Sequence, residues 1–455
     1  MAERLKVVVL DDDPTGSQTV HSAPLLLRWD ADTLAAGLAH PSPLLFLLAN
    51  TRALAPDQAR ARVAEICAAL GPALAAAKAA GDLDRWLIVS RGDSTLRGHF
   101  PLEVEQITAA LGPFHATLLV PAFLPGGRTT VDGVHLLHGE PVHTTAFAAD
   151  RLFGFSTSHL PAWVEQKSGG RIPAAAVQQI TLAELDAAAA GAAGLAALCN
   201  RLVGFSGNPV VAVDAERPEQ LAALGEAVRA VGAAAADGPW GGPRRFLFQS
   251  AASLLNGLVP LPPQPLDGAG LAGLRRPLPG LVLVGSHVPL ADTQLEALLQ
   301  EPGCAGLELP VAKLARVLEG PEPAALLASL EAAWLERLRA LLAAGTTPVL
   351  FTSRGEIHCR TAAERRRLGL ELAGVMARLA AALEPQLGYL ISKGGITSHT
   401  LLADGLGLGA VHLQGQLFAG LSLVLTPSGL PVVTFPGNLG EAGSLRQAWR
   451  LLEQG

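Results

Sequence analysis

The sequence predicts an α/β protein of two domains, each with a largely parallel sheet flanked by helices. Three observations carry this. Unbroken apolar runs such as LKVVVL, PLLFLLA, RWLIVS and ATLLVPAF alternate with helix-patterned stretches such as PDQARARVAEICAALGPALAAAKAAG. Strands buried on both faces of a parallel sheet read in this way. Each run ends in a polar or glycine-containing turn, and in such folds ligands sit outside the carboxyl ends of the strands. Finally, LVPLPPQPLDGAGLAGLRRPLPG, near 258–280, is rich in proline and glycine without a period. It suits a linker at 263–279 between an N-terminal domain, 1–262, and a C-terminal domain, 280–455.

Composition narrows the function classes. The chain has 455 residues, 49% hydrophobic and 16% charged, which excludes a disordered or collagen-like chain. Lysine and arginine number 34 against 40 acidic residues, so the net charge of -6 gives no bulk attraction to nucleic acid or an anionic membrane. Aromatic residues are only 4%, which argues against a stacking platform for single strands. The four cysteines, Cys67, Cys199, Cys304 and Cys359, form no CxxC pair and suit a reducing compartment. The opening MAERLKVVVLDDD reads as a first strand rather than a signal peptide. No apolar run reaches the roughly 18 residues of a membrane span, so a soluble, cytoplasmic protein is expected.

Taken in order, the first strand delivers Asp11, Asp12 and Asp13, and Pro14 with Thr15-Gly16 then turns the chain. A solvated turn with a helix cap would explain them. Carboxylates aimed into the strand-end crevice, binding hydroxyls, taking a proton or helping to hold a cation, would explain them better. Asn50, Thr51 and Arg52 after the second run are a weaker version of the same argument. The segment Ser90–His99 is the densest polar cluster. Arg91 and Arg97 can fork onto a carboxylate or phosphate, Asp93 can orient a guanidinium or a hydroxyl, and flanking glycines let a ligand approach. This favours a small anionic substrate over a structural salt bridge. Arg128, Thr129 and Asp132 are equally well a third wall of that crevice or a surface loop. His135, His138 and His143 read as satisfied or solvated histidines before a metal site. The stretch 183–198 reads as a helix.

In the C-terminal half three turns follow strands: Gly285-Ser286-His287, Lys393 through Ser398, and Pro436 through Gly440. Such turns expose backbone N–H groups to phosphate, and Lys393 could add a charge. GxxxxGK[ST] is absent, which excludes a P-loop, and no GxGxxG opens the first helix.

Together DDDPTGSQT, RGDSTLRGH with Glu103 soon after, GSHV, KGGITS and FPGNLG resemble the four-carbon acid sugar kinase family, in its order and from residue 7 to about 445. The resemblance implies an ATP-dependent kinase, with Mg²⁺ on the nucleotide, whose N-terminal domain holds a sugar acid and whose C-terminal domain holds ATP. Carried over, sugar-acid contacts fall on Asp12, Arg91, Asp93, Ser94 and Arg97. Nucleotide contacts fall on Ser286, Gly394, Gly395, Ile396, Thr397 and Gly437. Asp12 would accept or orient the proton of the attacking hydroxyl, with Asp11 and Asp13 as alternatives, and no dedicated metal ligands are expected. Many relatives carry an acidic residue in place of Ile396, and a lysine or similar residue near Ser90-Arg91-Gly92. The acid could be of the threonate, erythronate or 3-oxo-tetronate type. A homodimer is compatible with the sequence, and no nucleic-acid or membrane partner is implied. Two other readings stay open: an isomerase or lyase on a phosphorylated sugar acid, and a non-catalytic sugar-acid-binding protein.

Overall fold

A computed structural model describes residues 3–14, 20–354 and 361–454. The turn residues Thr15 and Gly16, and Cys359, lie outside the described residues. The chain divides into two compact units, Met1–Pro263 and Gln264–Gly455.

In the first unit the strands are β1 (Leu5–Asp11), β2 (Ala23–Leu26), β3 (Leu44–Leu48), β4 (Arg85–Arg91) and β5 (Ala116–Val120), then β6 (Arg128–Val131), β7 (Val134–Leu137) and β8 (Glu140–Pro141), and finally β9 (Gln178–Ile180), β10 (Val210–Val213) and β11 (Phe246–Ser250). Their order is β2-β3-β1-β4-β11-β5-β10-β9, and every pairing along it is parallel. Val7, Val8 and Val9 of β1 and all five residues of β3 are fully buried, because helices cover both faces. An antiparallel trio, β6-β7-β8, forms a separate small sheet.

Helices α1 (Ala31–Ala39), α2 (Pro56–Ala80) and α3 (Leu102–Leu111) pack together, α1 against β2 and α3 against β11. In α2 the buried residues Ala59, Val63, Ile66, Cys67, Leu70, Leu74 and Ala77 recur at helical spacing and form one stripe. Burying each large aliphatic side chain in it contributes roughly 1.5–3 kcal/mol. Proline starts α2, and Gly81 at φ 79° closes it by donating to the carbonyls of Ala77 and Lys78. No apolar run is unbroken over the length of a membrane span, but α2, at 25 residues and mean hydropathy 1.4, is the one helix among the described residues long and apolar enough to cross a membrane. Its stripe packs against α1 and α3. The stretch 183–198 is two helices, Leu182–Ala190 and Ala192–Val203, broken at Gly191 (φ 156°).

The second unit contains β12 (Leu281–Val284), β13 (Cys304–Leu309), β14 (Thr347–Thr352), β15 (Leu390–Lys393), β16 (Ala410–Phe418), β17 (Leu421–Leu425) and β18 (Pro431–Phe435). The order is β13-β14-β12-β15-β18-β17-β16. It is parallel as far as β18, and β17 and β16 then add on antiparallel. The expected linker is more structured than its composition suggests. Asp267 caps a short helix, Gly268–Ala272, by accepting from the Gly270 N–H at 2.8 Å. Leu271 and Ala272 are fully buried in the core of the second unit. Apolar burial thus overrides a proline- and glycine-rich sequence.

Candidate active site

In the first unit the chain leaves β1 toward β2 and β3, then crosses back to place β4 on the other side of β1. A ligand crevice opens where strand order reverses in this way. The three loops that meet there are joined through their backbones. The Asp12 N–H donates to the Arg91 carbonyl (3.1 Å), that of Asn50 to Asp11 (3.1 Å) and that of Arg52 to Asp12 (3.2 Å). Asn50 sits at φ 51°, a left-handed conformation asparagine tolerates, and the turn it makes brings Arg52 back toward Asp12.

The side chains form an alternating network. Arg52 donates from Nε to Asp12 Oδ2 (2.9 Å) and from Nη2 to Asp12 Oδ1 (2.6 Å), a bidentate pair at a carboxylate only 2% exposed. Its Nη1 also lies 3.6 Å from Asp13 and 3.8 Å from Asp93. Arg91 donates to Asp11 Oδ1 at 3.3 Å and lies 3.7 Å from Asp12, while its buried Nε has no partner. Asp93 Oδ2 accepts from Arg97 Nε (2.7 Å) and from the Thr95 hydroxyl. The same Nε also donates to the Thr95 hydroxyl oxygen at 3.1 Å, while the outer Arg97 nitrogens reach Asp150 only at 3.9 Å and the guanidinium lies over the Phe147 ring at 5.0 Å. Glu103, in the first turn of α3 and 5% exposed, accepts from the Thr51 hydroxyl.

A small open cleft lies against this network, lined among others by Asp93, Arg97, Glu103, Trp163, Gln249 and Ser250. Three of these carry buried polar atoms without partners: Trp163 Nε1, Gln249 Oε1 and Ser250 Oγ. Such atoms cost free energy unless a ligand or water meets them.

Electrostatics separate the carboxylates. Burial pushes the Asp11 carboxyl up to about 7, with Asp12 and Asp13 adding to the rise and Arg91 opposing it. Burial raises Asp93 too, but Arg52 and Arg97 outweigh it and hold that carboxyl well below the usual range. Burial and the neighbouring Asp12 charge push Glu103 up to about 7, against the Thr51 hydroxyl, Arg52 and Ser90.

Asp12, Arg91, Asp93 and Arg97 thus come together, and Ser94 is held beside them through its carbonyl, which accepts from His135 Nε2 at 2.8 Å. Arg128 joins the Asp93–Arg97 cluster electrostatically, whereas Asp132 stands beside Asp214, to which its backbone N–H donates at 3.1 Å. His135 is fully buried between the Thr130 hydroxyl and the Ser94 carbonyl, and burial lowers it to about 4. No group of three or more His, Cys, Asp or Glu side chains able to hold a metal ion occurs among the described residues. Sequence reasoning underrated Arg52 and Glu103. Both stand outside the dense polar segment, and the signal for Arg52 was its place directly after an apolar strand.

In the second unit strand order reverses between β12 and β15, and the glycine turns cluster there. The Gly285 N–H donates to the Lys393 carbonyl (3.1 Å), and that of Gly394 to Phe435 (2.9 Å). A β-carbon at Gly437 would lie 2.4 Å from Ser286 Oγ, and one at Gly285 would lie 2.1 Å from Thr397 Oγ1. Gly394, at φ 122°, needs the freedom of glycine. Ser286, Gly394, Gly395, Thr397 and Gly437 therefore share one cradle, whereas the Ile396 side chain is exposed. Lys393 is fully buried, donates to the Pro436 carbonyl (3.0 Å) and is lowered to about 7, by burial first and Arg354 second. Arg354, unread in the sequence although it follows the TPVLFTS strand, donates to the Ser286 carbonyl at 2.6 Å and keeps Nε and Nη2 unpartnered.

Comparison with known proteins agrees with this division. A family profile described as a sugar-binding N-terminal domain matches residues 7–258, and one described as a nucleotide-binding C-terminal domain matches 281–445. A D-threonate kinase of Cupriavidus necator is 30% identical over 370 residues, 80% of this chain and 79% of that protein. A D-threonate kinase of Bordetella bronchiseptica is 29% identical over 85% of this chain and 84% of its own. A D-erythronate kinase of Heliobacterium modesticaldum is 30% identical, but the match spans 41% of that protein and 40% of this chain. Among solved structures, a Salmonella typhimurium protein superposes at TM-score 0.65 with 18% identity over 98% of both chains, which bears on the fold alone. The chain belongs to the four-carbon acid sugar kinase family.

Proposed function

We propose that the protein transfers the γ-phosphoryl group of ATP, carried with Mg²⁺, to a hydroxyl of a four-carbon sugar acid of the threonate, erythronate or 3-oxo-tetronate type. The observation that carries this reading is the cleft of the first unit. It combines Arg97, whose outer nitrogens are weakly committed, with carboxylates and orphaned polar atoms that can read hydroxyls. A polyhydroxy acid offers both kinds of partner. The names of the relatives and the two domain profiles support the same assignment.

Each residue has a task in this reading. Arg97 takes the substrate carboxylate, and Arg91 adds positive charge behind it. Asp93 fixes Arg97 through its Nε. Asp12, with both oxygens engaged by Arg52, is suited to orient the acceptor rather than to take its proton. In the second unit the cradle of Ser286, Gly394 to Thr397 and Gly437 fits a nucleotide, because close backbone approach is what its glycines permit. Mg²⁺ would ride on the phosphates, and Asp292, whose Oδ1 lies 3.2 Å from the Arg354 Nη1 that also donates to the Ser286 carbonyl, is the neighbouring carboxylate. The bound nucleotide supplies the phosphoryl group, so the protein's work is positioning and charge neutralisation.

Calorimetry tests the assignment. The intact protein should bind ATP and one of these acids, each without the other. Arg97→Ala should weaken the acid at least tenfold and leave ATP within about twofold, since a charge-assisted hydrogen bond contributes roughly 1.5–3 kcal/mol. Equal loss of both affinities would contradict it.

A further inference from the structure

The cleft of the first unit gathers several carboxylates, and their partners divide them. Asp12 gives both oxygens to Arg52. Asp93 gives one oxygen to Arg97 and faces Arg52 with the other at 3.8 Å. Asp11 faces Arg91 at 3.3 Å. For Asp12 and Asp93, taking a proton would forfeit the ion pair; Asp11, whose carboxyl burial also pushes up to about 7, is not among the residues that line the cleft.

Glu103 differs. It lines the cleft, and its hydrogen bonds come from hydroxyls, those of Thr51 and Ser90. No arginine lies at ion-pair distance from it among the described residues. The walls beside it include Phe100, Leu119 and Trp163. Its placement is rigid, since its N–H donates to the His99 carbonyl at 3.2 Å in the first turn of α3. The charged groups around it are Asp12 at the end of β1 and Arg52 after β3. His99, from its own loop, turns its Nε2 to the carbonyls of Thr51 and Leu54, and β11 contributes only the neutral Gln249 and Ser250 to the cleft.

We propose that Glu103 is the catalytic residue that accepts the proton of the attacking hydroxyl, while Asp12 and Asp93 hold Arg52 and Arg97. This rests on the kinase reading and deepens it. The acceptor O–H bond breaks, its proton passes to a Glu103 oxygen, and the oxygen's electron pair forms the new bond to the γ-phosphorus. The bond from that phosphorus to the departing diphosphate breaks with its electrons leaving on ADP, and Glu103 then releases its proton to water. The near-neutral position of its carboxyl suits the task, because a base is most effective when its pKa lies near the working pH.

The test is Glu103→Gln, an isosteric change, assayed as acid-dependent ADP release from pH 5.5 to 9. Wild-type kcat should rise with pH around a midpoint near 7. The variant should lose about 10²–10³ in kcat and lose that rise. Its calorimetric affinity for the acid without nucleotide should stay within about threefold. Thr51→Val gives a second measurement. Removing a hydroxyl that favours the charged carboxylate should move the wild-type midpoint upward. A Glu103→Gln protein with wild-type kcat and pH profile would overturn the proposal. So would a loss confined to acid affinity, which would make Glu103 a binding residue. An unshifted midpoint in Thr51→Val would assign the titration elsewhere and overturn it too. Failure of the kinase reading looks different: wild type itself would release no ADP with any acid, and the proposal would fall with it.

Discussion

Arg52 and Asp12 show how little a residue's neighbours in sequence say about its partner. They stand forty positions apart and form the tightest ion pair of the cleft, with contacts of 2.6 and 2.9 Å. The dense Ser90–His99 segment was legible because so many polar side chains followed one apolar strand. Which of its arginines remains free for a ligand was not legible, since that depends on Asp93 capturing the Nε of Arg97 and on Asp11 facing Arg91. In the sequence Glu103 stands out only as part of a motif. Its environment comes from burial, from the Asp12 charge and from the lack of an arginine at ion-pair distance among the described residues, and none of these is written locally. Burial also sets a pH effect on stability. The folded Asp11 carboxyl titrates near 7, against about 3.9 in an unfolded chain, so between those values the folded state holds a proton that the unfolded state releases. Stability from this group is therefore full below about pH 4 and is lost as pH rises through 7. The midpoint of thermal unfolding should fall from pH 5 to pH 8 in wild type, and Asp11→Asn should flatten that fall. Glu103 contributes in the same direction, so some slope should remain. A slope identical to wild type in Asp11→Asn would show that Asp11 is ionised when folded.

At the scale of elements, the continuous apolar strands and the turns after them were plain in the sequence, because central parallel strands are buried on both faces. Elements with mixed faces were hidden. The strand β16 alternates buried and half-exposed residues along its length, and the β6–β8 hairpins sit in a loop region rich in glycine and polar residues. The helix Gly268–Ala272 was masked by prolines on both sides, although the core claims its Leu271. Close approaches between elements were equally invisible. Helices Pro218–Gly232 and Ser253–Leu258 meet at Gly225, where a β-carbon would lie 1.9 Å from the Gly257 carbonyl oxygen. Alanine in a helix gains about 0.5–1 kcal/mol over glycine. Overpacking against backbone costs roughly 1–3 kcal/mol, so Gly225→Ala should lower the unfolding midpoint on balance. An unchanged or raised midpoint would mean that the helices separate freely. Gly437→Ala, by contrast, should displace Ser286 and raise the KM for ATP at least tenfold without moving the KM for the acid.

For the whole molecule, the net charge of -6 gives no general attraction for an anion, so recognition has to come from local arginines in each unit. The division near residue 263 separates the cleft after β1, β3 and β4 from the glycine cradle after β12, β15 and β18. Two ligands held by two units should respond separately. In an Arg97→Ala/Gly437→Ala double variant each KM should carry only its own single-variant effect, as expected for independent sites. A KM effect that crosses from one ligand to the other would put both side chains in one binding site.

The most direct measurement is ADP release by the intact protein with MgATP and a panel of four-carbon sugar acids, followed through a coupled assay. The kinase account predicts a signal that depends on one acid, saturates with it, and yields one equivalent of phosphorylated acid per ADP. Silence across the panel, together with no calorimetric binding of ATP, would contradict it.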